Sequence, residues 1–245
     1  MKTKQADELA ERISSAITSW QPTQAYSLLE PILAERTPFR ILDRIGERIG
    51  SIPFDVLNPL LDLISEARTE GGWVIIGSAL KIQLDQDLEE TFERCRDMII
   101  NANIWYGADI LGERVPGPAL VSHFEHALKS LASWRQDPNR WVRRSVGVSI
   151  HFWAKRSRGS ADLIPCTEIL LAFLEPMFEE RDIDAVKGIG WGLKTLGKHY
   201  PDQLTDWLEV QIIQRQCRPR RLTVNKALTY LPEEYKARFL GEPSR

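Results

Sequence analysis

RWVRRSVGVSIHFWAK, residues 140–155, repeats its apolar side chains at three- and four-residue steps. At about 100° per residue this is the signature of a helix with one buried stripe. The stripe is Val142, Val146, Ser149, Ile150 and Trp153. Arg144 falls nearly opposite, with Gly147, Val148 and His151 beside it. Four other segments begin alike: GWVIIGSALKIQL (72–84), NIWYGADILGERV (103–115), DAVKGIGWGLKTLGK (184–198) and LTVNKALTYLP (222–232).

The five starts lie roughly 30 to 45 residues apart, and each follows another helical segment. A helical pair of this size cannot bury its apolar stripe alone, so neighbours must stack. The expected fold is therefore all-α. It is a HEAT-like helical-repeat α-solenoid whose concave, partly basic face is lined by the second helix of each pair. No stretch alternates strictly enough to read as a strand. Fourteen prolines predict short helices, and Pro31, inside PTQAYSLLEPILAER, predicts a kink or break.

The 245 residues are 43% hydrophobic and 27% charged, an ordinary globular composition. No apolar run approaches the roughly 18 residues of a membrane span, and the charged start MKTKQADELAERISSAI has no secretory apolar core. Cys95, Cys166 and Cys217 are odd in number and far apart, which suggests a reducing compartment and no disulfide framework. The expected location is cytoplasmic, in a bacterial cytosol or nucleoid, with a monomeric chain and no membrane partner.

Net charge is −2, but its distribution is uneven. Residues 1–100 carry 11 basic and 17 acidic residues, and residues 101–245 carry 21 and 17. One basic cluster is Arg135, Arg140, Arg143, Arg144, Lys155, Arg156 and Arg158. The other is Arg215, Arg218, Arg220, Arg221 and Lys226. Such asymmetry can mark a nucleic-acid face. The expected organisation is one solenoid domain over 1–240, acidic over 1–100 and basic over 101–240, with a tail at 241–245.

Some side chains fall outside the buried stripes. In ANIWYGADI (102–110), Trp105 and Asp109 are four apart and share a helix face, away from Ile104, Ala108 and Leu111. In DAVKGIGWGLKTLGK the stripe is Val186, Ile189, Leu193 and Leu196. Trp191 lies roughly opposite, with Gly188 and Gly192 expected to leave bare backbone around it. If the repeats stack in parallel, Trp105, Asp109, Arg144 and Trp191 converge on one surface.

These residues carry a family resemblance. IWYGAD, DPNRWVRRSVGV, AVKGIGWGLKTLGKHYPDQL and RPRRLTVNKAL, in this order over residues 100–232, resemble the AlkD-like DNA alkylation repair family of bacterial HEAT-like glycosylases. The family's tryptophan four before an aspartate matches Trp105 and Asp109. Its W-x-x-R helix start matches Trp141 and Arg144, and its IGW segment matches Gly190, Trp191 and Lys194. Tyr106 departs from the acidic residue usual after the first tryptophan, and residues 1–95 lack the family's N-terminal pattern.

The resemblance implies binding of duplex DNA and excision of positively charged N3- or N7-alkylated purines, without a deep base-flipping pocket and without a cofactor. Asp109 would stabilise the oxocarbenium-like sugar or position water. Trp105 and Trp191 would pack against sugar and lesion. Arg144 would support Asp109 and reach a phosphate. Arg143, Arg144, His151, Lys187, Lys194, Arg218, Arg220 and Arg221 are the expected DNA-binding residues. The competing readings are a non-catalytic DNA-binding relative and a protein-interaction scaffold, since helical repeats serve both. GIGWGLKT (188–195) lacks the strand and spacing of a phosphate loop, and His123 and His126 have no third partner for a metal.

Overall fold

Short polar caps and left-handed residues divide the chain into helices. The computed structural model describes residues 2–240, so the expected tail at 241–245 lies outside the described residues. The chain forms two compact units, Met1–Ala119 and Leu120–Arg245. Among the described residues there is no strand.

The first unit holds α1 (Thr3–Thr18), α2 (Pro22–Ala34), α3 (Phe39–Ile49), α4 (Phe54–Glu66), α5 (Glu70–Gln83), α6 (Leu88–Ala102), α7 (Trp105–Arg114) and the start of α8 (Pro116–Ser122). Thr69 and Asp87 cap α5 and α6 by accepting from the amides of Gly72 and Glu90. One layer runs α1 to α3 to α5 to α7, and a second runs α2 to α4 to α6. That two-layer stacking is the helical-repeat arrangement the periodicity predicts. Helix α5 has α3 on one side and α7 on the other, so Trp73, Val74, Ile75 and Ile76 are all buried. Close contact of α3 with α5 depends on Gly46, where a Cβ would stand 2.5 Å from the Ile75 carbonyl oxygen.

Two local expectations change. Helix α2 runs through Pro31 to Ala34. Pro31 is exposed and lies in the last turn, so water can reach the carbonyl that its ring leaves unbonded. ANIWYGADI is not one helix. Asn103, with φ 48°, ends α6 in the left-handed region, and α7 starts at Trp105. Ile104 is therefore the N-cap residue of α7, while Ala108 and Leu111 keep their buried places.

The second unit continues with α9 (Phe124–Trp134), α10 (Arg140–Ser157), α11 (Ile164–Leu174), α12 (Ile183–His199), α13 (Pro201–Leu208), a π-type segment Glu209–Gln214, α14 (Arg221–Ala227) and α15 (Glu233–Leu240). Asn139 and Asp182 cap α10 and α12 with their side-chain oxygens. Here α10 packs on α12 and α12 on α14, with α11 on α13 as the second layer. No described helix is long and apolar enough to cross a membrane.

Candidate nucleic-acid interface

In α10 and α12 the predicted stripes are buried: Val142, Val146, Ile150 and Trp153 on one, Val186, Ile189, Leu193 and Leu196 on the other. The opposite faces are not bare. A Cβ on Gly147 would stand 2.2 Å from the Gly188 carbonyl oxygen, and one on Gly192 would stand 2.7 Å from the Gly147 carbonyl oxygen. The expectation that Gly188 and Gly192 leave open backbone around Trp191 is thus corrected. They bring two helix backbones into contact, because no side chain fits between them.

This contact changes the setting of Arg144 and His151, both predicted to lie away from the core. Arg144 is only 7% exposed, and its Nη1 donates to the Asp184 carbonyl at 3.0 Å. His151 is 8% exposed and stacks on Trp191 with ring centroids 4.0 Å apart. Its Nδ1 lies 2.6 Å from Thr195 Oγ1, and that hydroxyl also donates to the Trp191 carbonyl at 3.1 Å. Burial, then the charges of Lys155 and Lys194, push the His151 pKa down to about 4. At that value the imidazole is neutral at pH 7, with its ring stacked on Trp191.

Arg143 is committed to the protein itself. It meets both carboxylate oxygens of Glu180, at 2.7 and 3.4 Å, and donates to the Asp137 carbonyl at 2.7 Å. Burial would raise the Glu180 pKa, but Arg143 and the amides of Asp182 and Arg181 outweigh it and lower the value. Lys187 is exposed and 3.4 Å from Asp184. Lys194 sits with its ammonium 5.2 Å from the Tyr230 ring centroid. The exposed Arg218 gives its backbone amide to Glu179, Arg220 bonds the Arg181 carbonyl at 2.6 Å, and Arg221 is exposed at the start of α14.

Trp105 and Asp109 belong to the first unit. Trp105 is 56% exposed at the first position of α7, with its ring edge-on to Tyr106 at 5.7 Å. Asp109 is half-buried one turn along. In the second unit the structure brings together Arg144, His151, Lys187, Trp191 and Lys194. Lys226 joins them, a residue that sequence reasoning placed in a charge cluster but not in the site. Its position on the last predicted helix was the one available signal. Its stem packs on Gly190, where a Cβ would stand 2.5 Å from Lys226 Cδ.

The charge asymmetry follows the two units closely. The first has 12 basic and 19 acidic residues and the second 20 and 15, giving −7 and +5. Among the described residues no group of three or more His, Cys, Asp or Glu side chains could hold a metal. Burial raises the Cys95 thiol pKa far above its usual range, so this cysteine is inert packing.

No curated protein matches the chain. Among solved structures the chain is similar to the Pseudomonas fluorescens alkylpurine DNA glycosylase AlkC bound to DNA containing an abasic site analog. The TM-score is 0.61 at 16% identity, over 97% of this chain and 67% of that one, a likeness of fold. The model of the DNA alkylation repair enzyme family matches residues 60–231, reaching about 40 residues further toward the N-terminus than the motifs alone. That match takes in α5 through α14, and with it every candidate residue above. With most of its length matched, the chain belongs to the DNA alkylation repair enzyme family.

Proposed function

We propose that this protein is a DNA-repair glycosylase that binds duplex DNA and releases positively charged N3- or N7-alkylated purines. The observation that carries the reading is the Trp105–Asp109 pair, an exposed indole one turn from a half-buried carboxylate, inside the segment matched by the family. The solved fold relative is an alkylpurine DNA glycosylase bound to DNA, which supports the same reading.

Alkylation at N3 or N7 puts positive charge on the base and weakens its bond to C1′. As that bond breaks, its electron pair returns to the base, which leaves neutral, and positive charge moves onto the sugar. Asp109 stabilises this charge and takes the proton of the water that adds to C1′. Trp105 offers its π face to the cationic sugar and base. In the second unit Trp191 packs against the DNA, and Arg144 and the lysines around it contact backbone phosphates. Lys187, Lys194, Arg218 and Arg221 are the basic residues whose positions suit that task. Arg143 and Arg220 are spent largely on internal bonds, and His151 supports Trp191. The protein works in the bacterial cytosol or nucleoid, as a monomer, without a cofactor.

The test is release of 7-methylguanine or 3-methyladenine from alkylated duplex DNA. Asp109→Asn is expected to slow release by about 100-fold or more, with thermal unfolding unchanged. Undiminished release removes Asp109 from the mechanism. A second reading, a relative that binds DNA without cutting it, has Tyr106 in its favour, packed edge-on against Trp105 where the resemblance leads one to expect an acid. Wild-type binding without base release would establish that reading. No binding to plain or alkylated duplex would leave a protein-interaction scaffold.

A further inference from the structure

Helix α7 carries both Trp105 and Asp109, yet its own packing gives it little to hold by. Its buried residues are Gly107, Ala108, Ile110, Leu111 and Gly112. Helices fix each other's angle through side chains that interdigitate, and glycine and alanine supply almost none. The far end of α7 has a different anchor. Arg114, in the last turn, reaches across α5 to α3. Its Nε donates to Asp43 Oδ1 at 2.8 Å and its Nη2 to Oδ2 at 3.4 Å. Ser78 of α5 donates its hydroxyl to the same Oδ1 at 2.7 Å. The Arg114 stem lies on Gly77, where a Cβ would stand 2.9 Å from Arg114 Cδ. The guanidinium carbon is 5.6 Å from the Phe39 ring centroid, and the side chain is only 15% exposed, so water screens the pair little. Other ion pairs of this layer join adjacent helices: Arg44 and Arg48 meet Asp7 between α3 and α1, and Lys81 meets Glu47 between α5 and α3. The Arg114–Asp43 pair instead spans a helix, from α7 over α5 to α3.

We propose that Arg114, clamped by Asp43 and Ser78, is a positioning residue that sets the rotation of α7 about its axis, and so the direction in which Trp105 and Asp109 point. Arg114 lies about 180° around the helix from Trp105 and about 140° from Asp109. It therefore acts through the helix and not on the sugar. Two-point contact between a planar guanidinium and a carboxylate fixes direction as well as distance, which a single ammonium contact does not. At the roughly 5 Å radius of helix side chains, a rotation of about 20° moves a carboxylate by about 2 Å. A displacement of about 1 Å at a reacting group is enough to cost roughly 100-fold in rate. The proposal rests on the reading of Asp109 as the carboxylate at the reacting sugar, but the clamp itself lies wholly within the first unit.

The test uses Arg114→Met, which keeps a stem on Gly77 but loses the fork, Asp43→Asn, and the double variant. Lys81→Met is the control, since its ion pair does not involve α7. Base release from alkylated duplex is timed in single turnover at saturating enzyme, well below each melting temperature. Duplex affinity is measured separately. The Trp105 indole is followed by NMR, its signal assigned with Trp105→Phe. Arg114→Met and Asp43→Asn are each expected to slow release by roughly 10- to 100-fold with duplex affinity kept. The double variant is expected to be no slower than either single one, because both remove the same contact. The Trp105 signal is expected to move in Arg114→Met, whereas Lys81→Met changes neither rate nor signal. If the wild type releases base and Arg114→Met releases it equally fast, the positioning role is overturned and the glycosylase reading survives. An equal slowing in Lys81→Met overturns the role too, by assigning the effect to a general weakening of the layer. An unmoved Trp105 signal in Arg114→Met overturns it whether or not the wild type releases base. If the signal moves in Arg114→Met alone while the wild type releases no base, the clamp is supported and the glycosylase reading is overturned.

Discussion

His151 shows how one side chain changes meaning once its neighbours are known. In the sequence it is a polar residue beside Arg144, away from the apolar stripe. In the structure it is buried against Trp191 with Nδ1 at 2.6 Å from the Thr195 hydroxyl. Its pKa of about 4 lies below the 6.5 of a free imidazole. Between those values the unfolded chain binds a proton that the folded protein does not, so folding stability rises with pH across this window. As pH falls from 6.5 towards 4, His151 is expected to cost up to about 1.4 kcal/mol per pH unit. Denaturant unfolding of wild type and His151→Leu over that range measures the effect. An equally steep loss in the variant would assign it to other groups. Arg143 carries the same lesson, since its guanidinium faces Glu180 and not solvent.

At the scale of the helix, the pairing of α10 with α12 is built on glycine. Gly188→Ala would gain about 1 kcal/mol of helix propensity. Against that, the new Cβ would stand 2.3 Å from the Arg144 carbonyl oxygen, and a backbone atom cannot rotate away. Overpacking costs about 1–3 kcal/mol, so the substitution is expected to destabilise despite the better propensity. It should lower the melting temperature by about 2–4 °C for each kcal/mol of destabilisation. A melting temperature equal to or above wild type would mean that the two backbones separate at little cost. Helix α7 shows a second element effect. Asn103 breaks the chain before Trp105, so the indole sits at a helix start and is held on fewer sides.

For the whole molecule, charge distinguishes the two units, at −7 and +5. Duplex binding is expected to depend on the second. Neutralising one cation that binds a phosphate should reduce the salt slope by about 0.9. Arg218→Gln with Arg221→Gln should therefore lower the slope by up to about two, because both side chains are exposed. Neutralising Glu89 and Glu93 in α6 should leave it near wild type. The check is the slope of log affinity against log salt for each variant, and equal slopes in all of them would remove the basic C-terminal cluster from the interface.

The all-helical class, the helices that carry the candidate residues, most of the buried stripes and the family were legible in the residues, because helical periodicity and local caps act over a few positions. Trp105 and Asp109 could be paired for the same reason, as neighbours one turn apart. Which faces stay open was not legible. Gly188 and Gly192 read as gaps in the sequence and, with Gly147, act as contact surfaces in the fold, since their effect depends on a helix some 40 residues away. The gathering of Arg144, Lys187, Lys194 and Lys226 was decided there too. Stacking α10, α12 and α14 sets which charges meet, and no local pattern carries that information.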